Sequence, residues 1–154
     1  MKKSCIINLT KNNIGRFWGS PQDSYAAYAF GVDEDELAQL VLSGKKTATS
    51  SLYLAYEFEN EPLPQVGAYN MILDSQEQPV CITQTKKVYL CPYNEITAEF
   101  AKKEGEGDLS LHYWQVVHEA FFQSVCHEMG TKFSPEMLVV CEEFVCLYPK
   151  SFPR

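Results

Sequence analysis

Gly44-Lys45-Lys46-Thr47-Ala48-Thr49 sets an ammonium and a hydroxyl just past a helix end that the preceding residues announce. Asp33 and Glu36 form an Asp-x-x-Glu capping pattern, Leu37, Leu40 and Val41 follow at helical spacing, and Gly44 is the left-handed terminator. The spacing predicts a helix from Asp33 to Ser43, so the motif lies on a helix-to-strand connection. Residues three apart in a regular strand face opposite sides, so Lys46 and Thr49 share a pocket only where the segment bends or bulges. A solvated Lys beside a Thr at the start of a strand is the plain alternative, since most exposed Lys side chains bind nothing specific.

Working outward, Ser20-Pro21 reads as an N-cap with Pro in the first helical position, opening a short aromatic helix through Tyr25 and Tyr28 that stops near Gly31. Downstream, Thr47 to Phe58 is rich in Thr, Leu, Tyr and Phe and predicts a strand, with Glu59 to Gly67 as a Pro-containing loop. Val66 to Leu73 and Val80 to Leu90 are apolar or β-branched runs joined by Asp74-Ser75-Gln76-Glu77-Gln78-Pro79, the composition of a hairpin turn. Asn94 is placed to cap a helix through Ile96, Phe100 and Ala101 that ends at Gly105. A second helix starts near Asp108, and its stripe of Leu111, Trp114, His118, Phe121, Phe122 and Val125 faces a core, which makes His118 a core histidine in the first instance. Met137 to Tyr148 is apolar on both alternating faces, as in a central strand covered on two sides. Glu142 and Glu143 interrupt it, so one of them points inward or reaches the sheet margin.

The 154 residues, with 45% apolar content, suit one globular domain, and no repeat, low-complexity tract or long linker divides them. A formal charge of -7 argues against a large duplex DNA footprint, because affinity for phosphate backbones comes mainly from Lys and Arg. A small ligand, or one nucleoside of a polymer, fits better. The Cys5-Ile6-Ile7 patch is too short for a signal peptide or a bilayer span, which gives a cytoplasmic expectation and no membrane partner. The six scattered cysteines then read as free thiols, and without a Cys-x-x-Cys pair a structural zinc site has little support. Nothing in the sequence sets the oligomeric state.

Glu104-Gly105-Glu106-Gly107-Asp108 packs three acids between two glycines. Such a loop can bind a cation, receive a ligand's amino group or cap the next helix through Asp108. Glu104 and Glu106 fall at or past a helix C-terminus, where the dipole disfavours negative charge. A nearby Lys would hold Glu104 there.

Leu40 to Thr49, Gly67 leading a strand, Phe100 to Asp108, Leu111, Tyr113-Trp114 and Phe121-Phe122, taken in order, resemble the ASCH domain family over about residues 14 to 148. That resemblance implies an α+β, PUA-like fold: a small mixed β-barrel flanked by helices, with a cleft beside the Gly-x-Lys-x-x-Thr segment. It also implies an RNA-associated role. Relatives include amidohydrolases that remove the acetyl group from N4-acetylcytidine and proteins described as ribonucleases. In the amidohydrolase branch a Lys, a Thr and a later Glu act together, which places catalysis on Lys46, Thr49 and Glu104, with Glu106 an alternative carboxylate. Gly44, Lys45, Glu106, Asp108 and Tyr53 then form the substrate-binding surround. The family's arginines after the loop Asp and after the helix Trp are replaced by Leu109 and Gln115, which weakens the case for a phosphate-rich polymer.

For amide hydrolysis, Thr49 is nucleophile or positioning hydroxyl, with either Lys46 as base or Glu104 as proton shuttle and Lys46 stabilising the oxyanion. A carboxylate beside Lys46 favours the second assignment, because it disfavours the neutral amine. No metal or other cofactor is required on either route. A ribonuclease acting on single-stranded RNA would use Lys46 on the phosphorane charge, with Glu104, Glu106 and Asp108 holding a divalent ion. A noncatalytic RNA-binding module would use Trp18, Tyr53 or Tyr69 as a stacking surface.

Overall fold

The structure, a computed structural model, describes residues 25–149. Along the chain run β1 (Tyr25–Tyr28), α1 (Glu34–Leu42), β2 (Ala48–Leu52), α2 (Tyr53–Glu59), β3 (Tyr69–Leu73), β4 (Pro79–Pro92), a 3-10 turn (Tyr93–Glu95), α3 (Ala98–Glu104), α4 (Leu111–Glu128) and β5 (Leu138–Tyr148). The strands form one mixed sheet in the order β1-β3-β4-β5-β2, which curls into a half-barrel flanked by the four helices, an α+β architecture. β1 runs parallel to β3, and the other neighbours are antiparallel. Register shifts in β4 at Ile82/Thr83 and Thr85/Lys87 mark the bends that let this long strand curve.

Alternation along β5 divides the core. Val139 and Cys141 face α4 and join Ala48, Leu52, Phe100, Trp114, Phe122 and Cys126; Phe144 points the other way and joins Tyr28, Phe30, Leu37, Val41 and Ile72 under α1. In α4 the buried residues are Trp114, His118, Phe122 and Cys126, four apart, so they stack along one face. Leu111, Phe121 and Val125, expected in the same stripe, are only partly buried at its flank.

Several expectations hold. Gly44 is left-handed with φ 81, and the hairpin turn closes as Asp74 Oδ1 accepts from the backbone N–H groups of Gln76 and Gln78 at 2.9 Å each. Gly105 ends α3 at φ 73, and Glu142 is the carboxylate that points inward.

Others are corrected. Tyr25–Tyr28 is a strand, not helix, because its backbone pairs with Tyr69–Ile72, a long-range partner that local aromatic spacing does not reveal; Ser20-Pro21 lies outside the described residues. The strand expected through Phe58 stops at Leu52, and Tyr53–Glu59 is a helix that buries Tyr56 and closes on Asn60 in the left-handed region. Asp33 occupies the N-cap position of α1 at φ 47 without a side-chain cap bond. Asp35 instead accepts from the N–H and hydroxyl of Ser75, at 2.8 Å each, clasping α1 to the hairpin turn. Asn94 falls in the 3-10 turn, and the cap of α3 is Thr97, whose hydroxyl accepts from Phe100 N at 3.1 Å.

Phe122 is fully buried against Tyr93, His118 and Phe133. Phe122→Ala is expected to lower the unfolding free energy by about 3–5 kcal/mol, read as a lower midpoint in a urea titration; an unchanged midpoint would show that α4 adds little to stability.

Candidate functional site

After Gly44 the chain doubles back over α1, with the N–H groups of Lys45 and Lys46 both donating to Leu40 O at 3.0 Å. It then passes between β5 and the end of α3. Thr47 N donates to Lys103 O at 2.8 Å, while Thr47 O accepts from Phe144 N at 2.9 Å. The end of α3 lies directly on this connection: a Cβ at Gly105 would stand 2.3 Å from Lys45 O, a separation no side chain tolerates. Glycine is therefore required at 105 both for its positive φ and for the backbone contact.

That contact aims the acidic loop at Lys46. Lys46 is 1% exposed, and its ammonium stands 5.2 Å from the Phe30 ring centroid. Its three hydrogens meet Glu104 Oε1 at 3.3 Å, Glu106 Oε2 at 3.1 Å and Glu104 O at 3.4 Å. Glu104 is as deeply buried, and its Oε2 accepts from Ser50 Oγ at 2.8 Å and from the Trp114 indole N–H. His118 completes the surround. Its Nδ1 is 2.8 Å from Trp114 O, a pure acceptor, so Nδ1 carries a hydrogen. Its Nε2 is 3.3 Å from Glu104 Oε2, near enough for charge attraction but not aligned as a hydrogen bond. Burial alone would raise the Glu104 carboxyl; the charges of His118 and Lys46 outweigh it and hold the group well below the usual carboxylate range.

Lys46, Glu104 and Glu106 thus converge, from segments 58 and 60 positions apart. Thr49 is buried, but β2 keeps regular pairing from Ala48 to Leu52, so Thr49 faces away from Ser50 and shares the side of its partner Glu142. On that side Glu142 Oε1 accepts from Thr85 Oγ1 at 3.4 Å, and Thr85 in turn accepts from Asn70 Nδ2 at 3.1 Å, forming a second buried polar group. Gly44 and Lys45 are exposed, and Tyr53 is half-buried at the start of α2, its phenol raised chiefly by a hydrogen bond with Glu57. Asp108 points to solvent and accepts from Ser110 N at 2.9 Å; the cap of α4 is Ser110 itself, whose hydroxyl accepts from Tyr113 N at 3.0 Å. The expected Asp108 cap is thereby corrected by two positions. Tyr69 is half-buried in β3, and Trp18 lies outside the described residues.

Sequence reasoning did not assign Ser50, Trp114 and His118 to this site. A signal for the last two existed: polar-tipped aromatics four apart on an apolar helical stripe, here stacked at 4.2 Å and aimed at the same carboxylate. Glu104, Glu106 and His118 bring ligand atoms within 4.8 Å of one another, as a metal site would. The Lys46 ammonium already bridges the two carboxylates, so a divalent ion would compete with a resident cation, and Asp108 does not join the group.

The ASCH domain family profile matches residues 26–148. The chain belongs to the ASCH domain family. Among solved structures, an ASCH domain from Lactobacillus crispatus JV V101 is 35% identical, with 89% of this chain and 86% of that one covered at a TM-score of 0.77. A protein from Enterococcus faecalis V583 is 36% identical over 88% and 82%, with a TM-score of 0.73. The fold is accordingly PUA-like. No curated protein matches significantly, and among the described residues no helix is long and apolar enough to cross a membrane.

Two outcomes test the electrostatics of this ASCH site. Lys46→Met leaves two carboxylates buried without their cation and is expected to cost about 3–5 kcal/mol at neutral pH by urea titration. Because the folded-state carboxyl of Glu104 is depressed, its stabilising contribution is fully present above the unfolded value of about 4.3 and is lost as pH falls through the folded one. Urea midpoints measured downward from pH 7 should therefore fall less steeply for Glu104→Gln than for the parent; parallel curves would show that Glu104 is not held in its anionic form.

Proposed function

We propose that this ASCH protein recognises a modified nucleoside and hydrolyses an acetyl amide of the N4-acetylcytidine type. The observation that supports this reading is the buried Lys46 held between Glu104 and Glu106. Glu104 has its oxygens engaged by Lys46, Ser50 and Trp114 and is kept anionic, so it serves as the fixed counter-charge that orients the ammonium. Glu106 is nearer the surface, 8% exposed, and takes the role of base. In the proposed reaction water attacks the acetyl carbon, its proton passes to Glu106, and Lys46 donates to the oxyanion. The C–N bond then breaks as Glu106 returns that proton to N4, giving cytidine and acetate. Thr49 lies on the other side of β2 from Ser50, beside Glu142, so the nucleophile in this reading is water and not the Thr49 hydroxyl.

A second reading, a noncatalytic RNA-binding module, is favoured by a different observation: every hydrogen of the Lys46 ammonium already has an acceptor inside the protein. A metal-dependent ribonuclease has less support, since Asp108 stands apart from Glu104 and Glu106.

Incubation with N4-acetylcytidine, followed by chromatography, should release cytidine at a rate unaffected by chelator. Lys46→Ala and Glu106→Gln are each expected to lower kcat by at least about a hundredfold, in the range for removing an oxyanion donor or a general base. Thr49→Ala, on the opposite side of β2 from Glu104, should lower kcat far less than either. Full turnover by Lys46→Ala would rule out the hydrolase reading, and a shift of labelled single-stranded RNA without cleavage would support the second.

A further inference from the structure

We propose that Tyr113 is the aromatic platform on which the base of the ligand lies, and that the site selects a nucleoside without phosphate. The inference rests on the nucleoside-directed reading of the Lys46 site and adds to it a residue and a ligand class. Gly107, with φ +59, is the first observation: a Cβ there would stand 2.5 Å from Cε1, Cε2 and Cζ of Tyr113 alike. Three ring atoms at one distance place the ring face-on over the Gly107 α-carbon. Only glycine allows this seat. The backbone that carries the ring is fixed as well, since Tyr113 N donates to the Ser110 cap at 3.0 Å. Even so, Tyr113 is 38% exposed, beside an otherwise buried polar centre. A ring fixed on one face and open to solvent is the arrangement on which bases stack with little loss of side-chain freedom.

The charge around this ring limits what binds. Burial raises the Tyr113 phenol first, and the negative charges of Glu106, Glu36, Asp33 and Asp108 raise it further, so carboxylates from the acidic loop and from the start of α1 face it together. Asp33, Glu36 and Asp108 are exposed, and the Lys46 ammonium is neutralised by its two partners. A phosphate at this rim meets like charge, whereas the exocyclic N4–H of a cytosine base meets acceptors.

The test uses the full chain with N4-acetylcytidine in steady-state kinetics, and with cytidine and cytidine 5′-monophosphate in calorimetric binding. Tyr113→Ala should raise KM about tenfold, the loss expected for one base-aromatic stack, with kcat within about twofold; Tyr113→Phe should keep the parental KM. Cytidine should bind the parent at least about tenfold more tightly than the monophosphate at low salt, with the gap narrowing as salt screens the rim. A parental KM in Tyr113→Ala, or a fall in kcat alone in Tyr113→Phe, overturns the platform while turnover by the parent leaves the hydrolase reading standing. Tighter binding of the monophosphate overturns the phosphate exclusion, and a parent that neither binds nor cleaves ends both readings. The phosphate comparison uses unaltered protein, so it decides even where a variant folds poorly.

Discussion

An ammonium and two carboxylates share a space from which water is almost excluded, and the geometry of the whole molecule serves to keep them together. Removing such charges from water costs several kcal/mol per ion, and their attraction offsets that only when the remaining hydrogens and lone pairs also find partners. Here they do. Lys46 has three acceptors, and Glu104 has donors from Ser50 on β2 and Trp114 on α4, with His118 beside it. The cluster therefore ties β2, α3, the acidic loop and α4 to one point. Gly105 makes the junction possible by letting one backbone lie on another.

The apolar core follows from this arrangement. Because Ser50 and its strand neighbours Ala48 and Leu52 face α4, the side of β2 that carries the polar contact also contributes to the hydrophobic cluster around Phe122. The opposite side of the sheet carries Thr49, Glu142, Thr85 and Asn70, a second polar group inside the half-barrel. Two polar groups thus lie on opposite sides of one strand, and the strand's period of two decides which hydroxyl serves which.

What could be read from the sequence was local. Gly44 and Gly105 as helix ends, the Asp74–Pro79 turn and the acidic loop are punctuation, set by the backbone freedom of a few residues. Glu142 was legible as an inward carboxylate because it breaks an apolar alternation. The pairing of Lys46 with Glu104 was legible only through family resemblance, since nothing local links positions 58 apart. Tyr25–Tyr28 was misread because its strand character comes from β3, and Tyr53–Glu59 because its Tyr and Phe content suits a strand while its burial follows a helical turn. Ser50, Trp114 and His118 were hidden for a related reason: each looks like ordinary core until Glu104 is placed among them.

The strand order carries an implication for synthesis. β2, an early segment, has β5 as its sheet neighbour, and β5 is the last of the described elements to be made. Until residues 139–143 emerge, residues 48–52 have no ladder to join. Every residue of the charged cluster, from Lys46 to His118, is made before that ladder can form. A ribosome-stalled fragment ending before residue 139 would therefore carry every residue of the cluster while β2 beside it lacked its ladder.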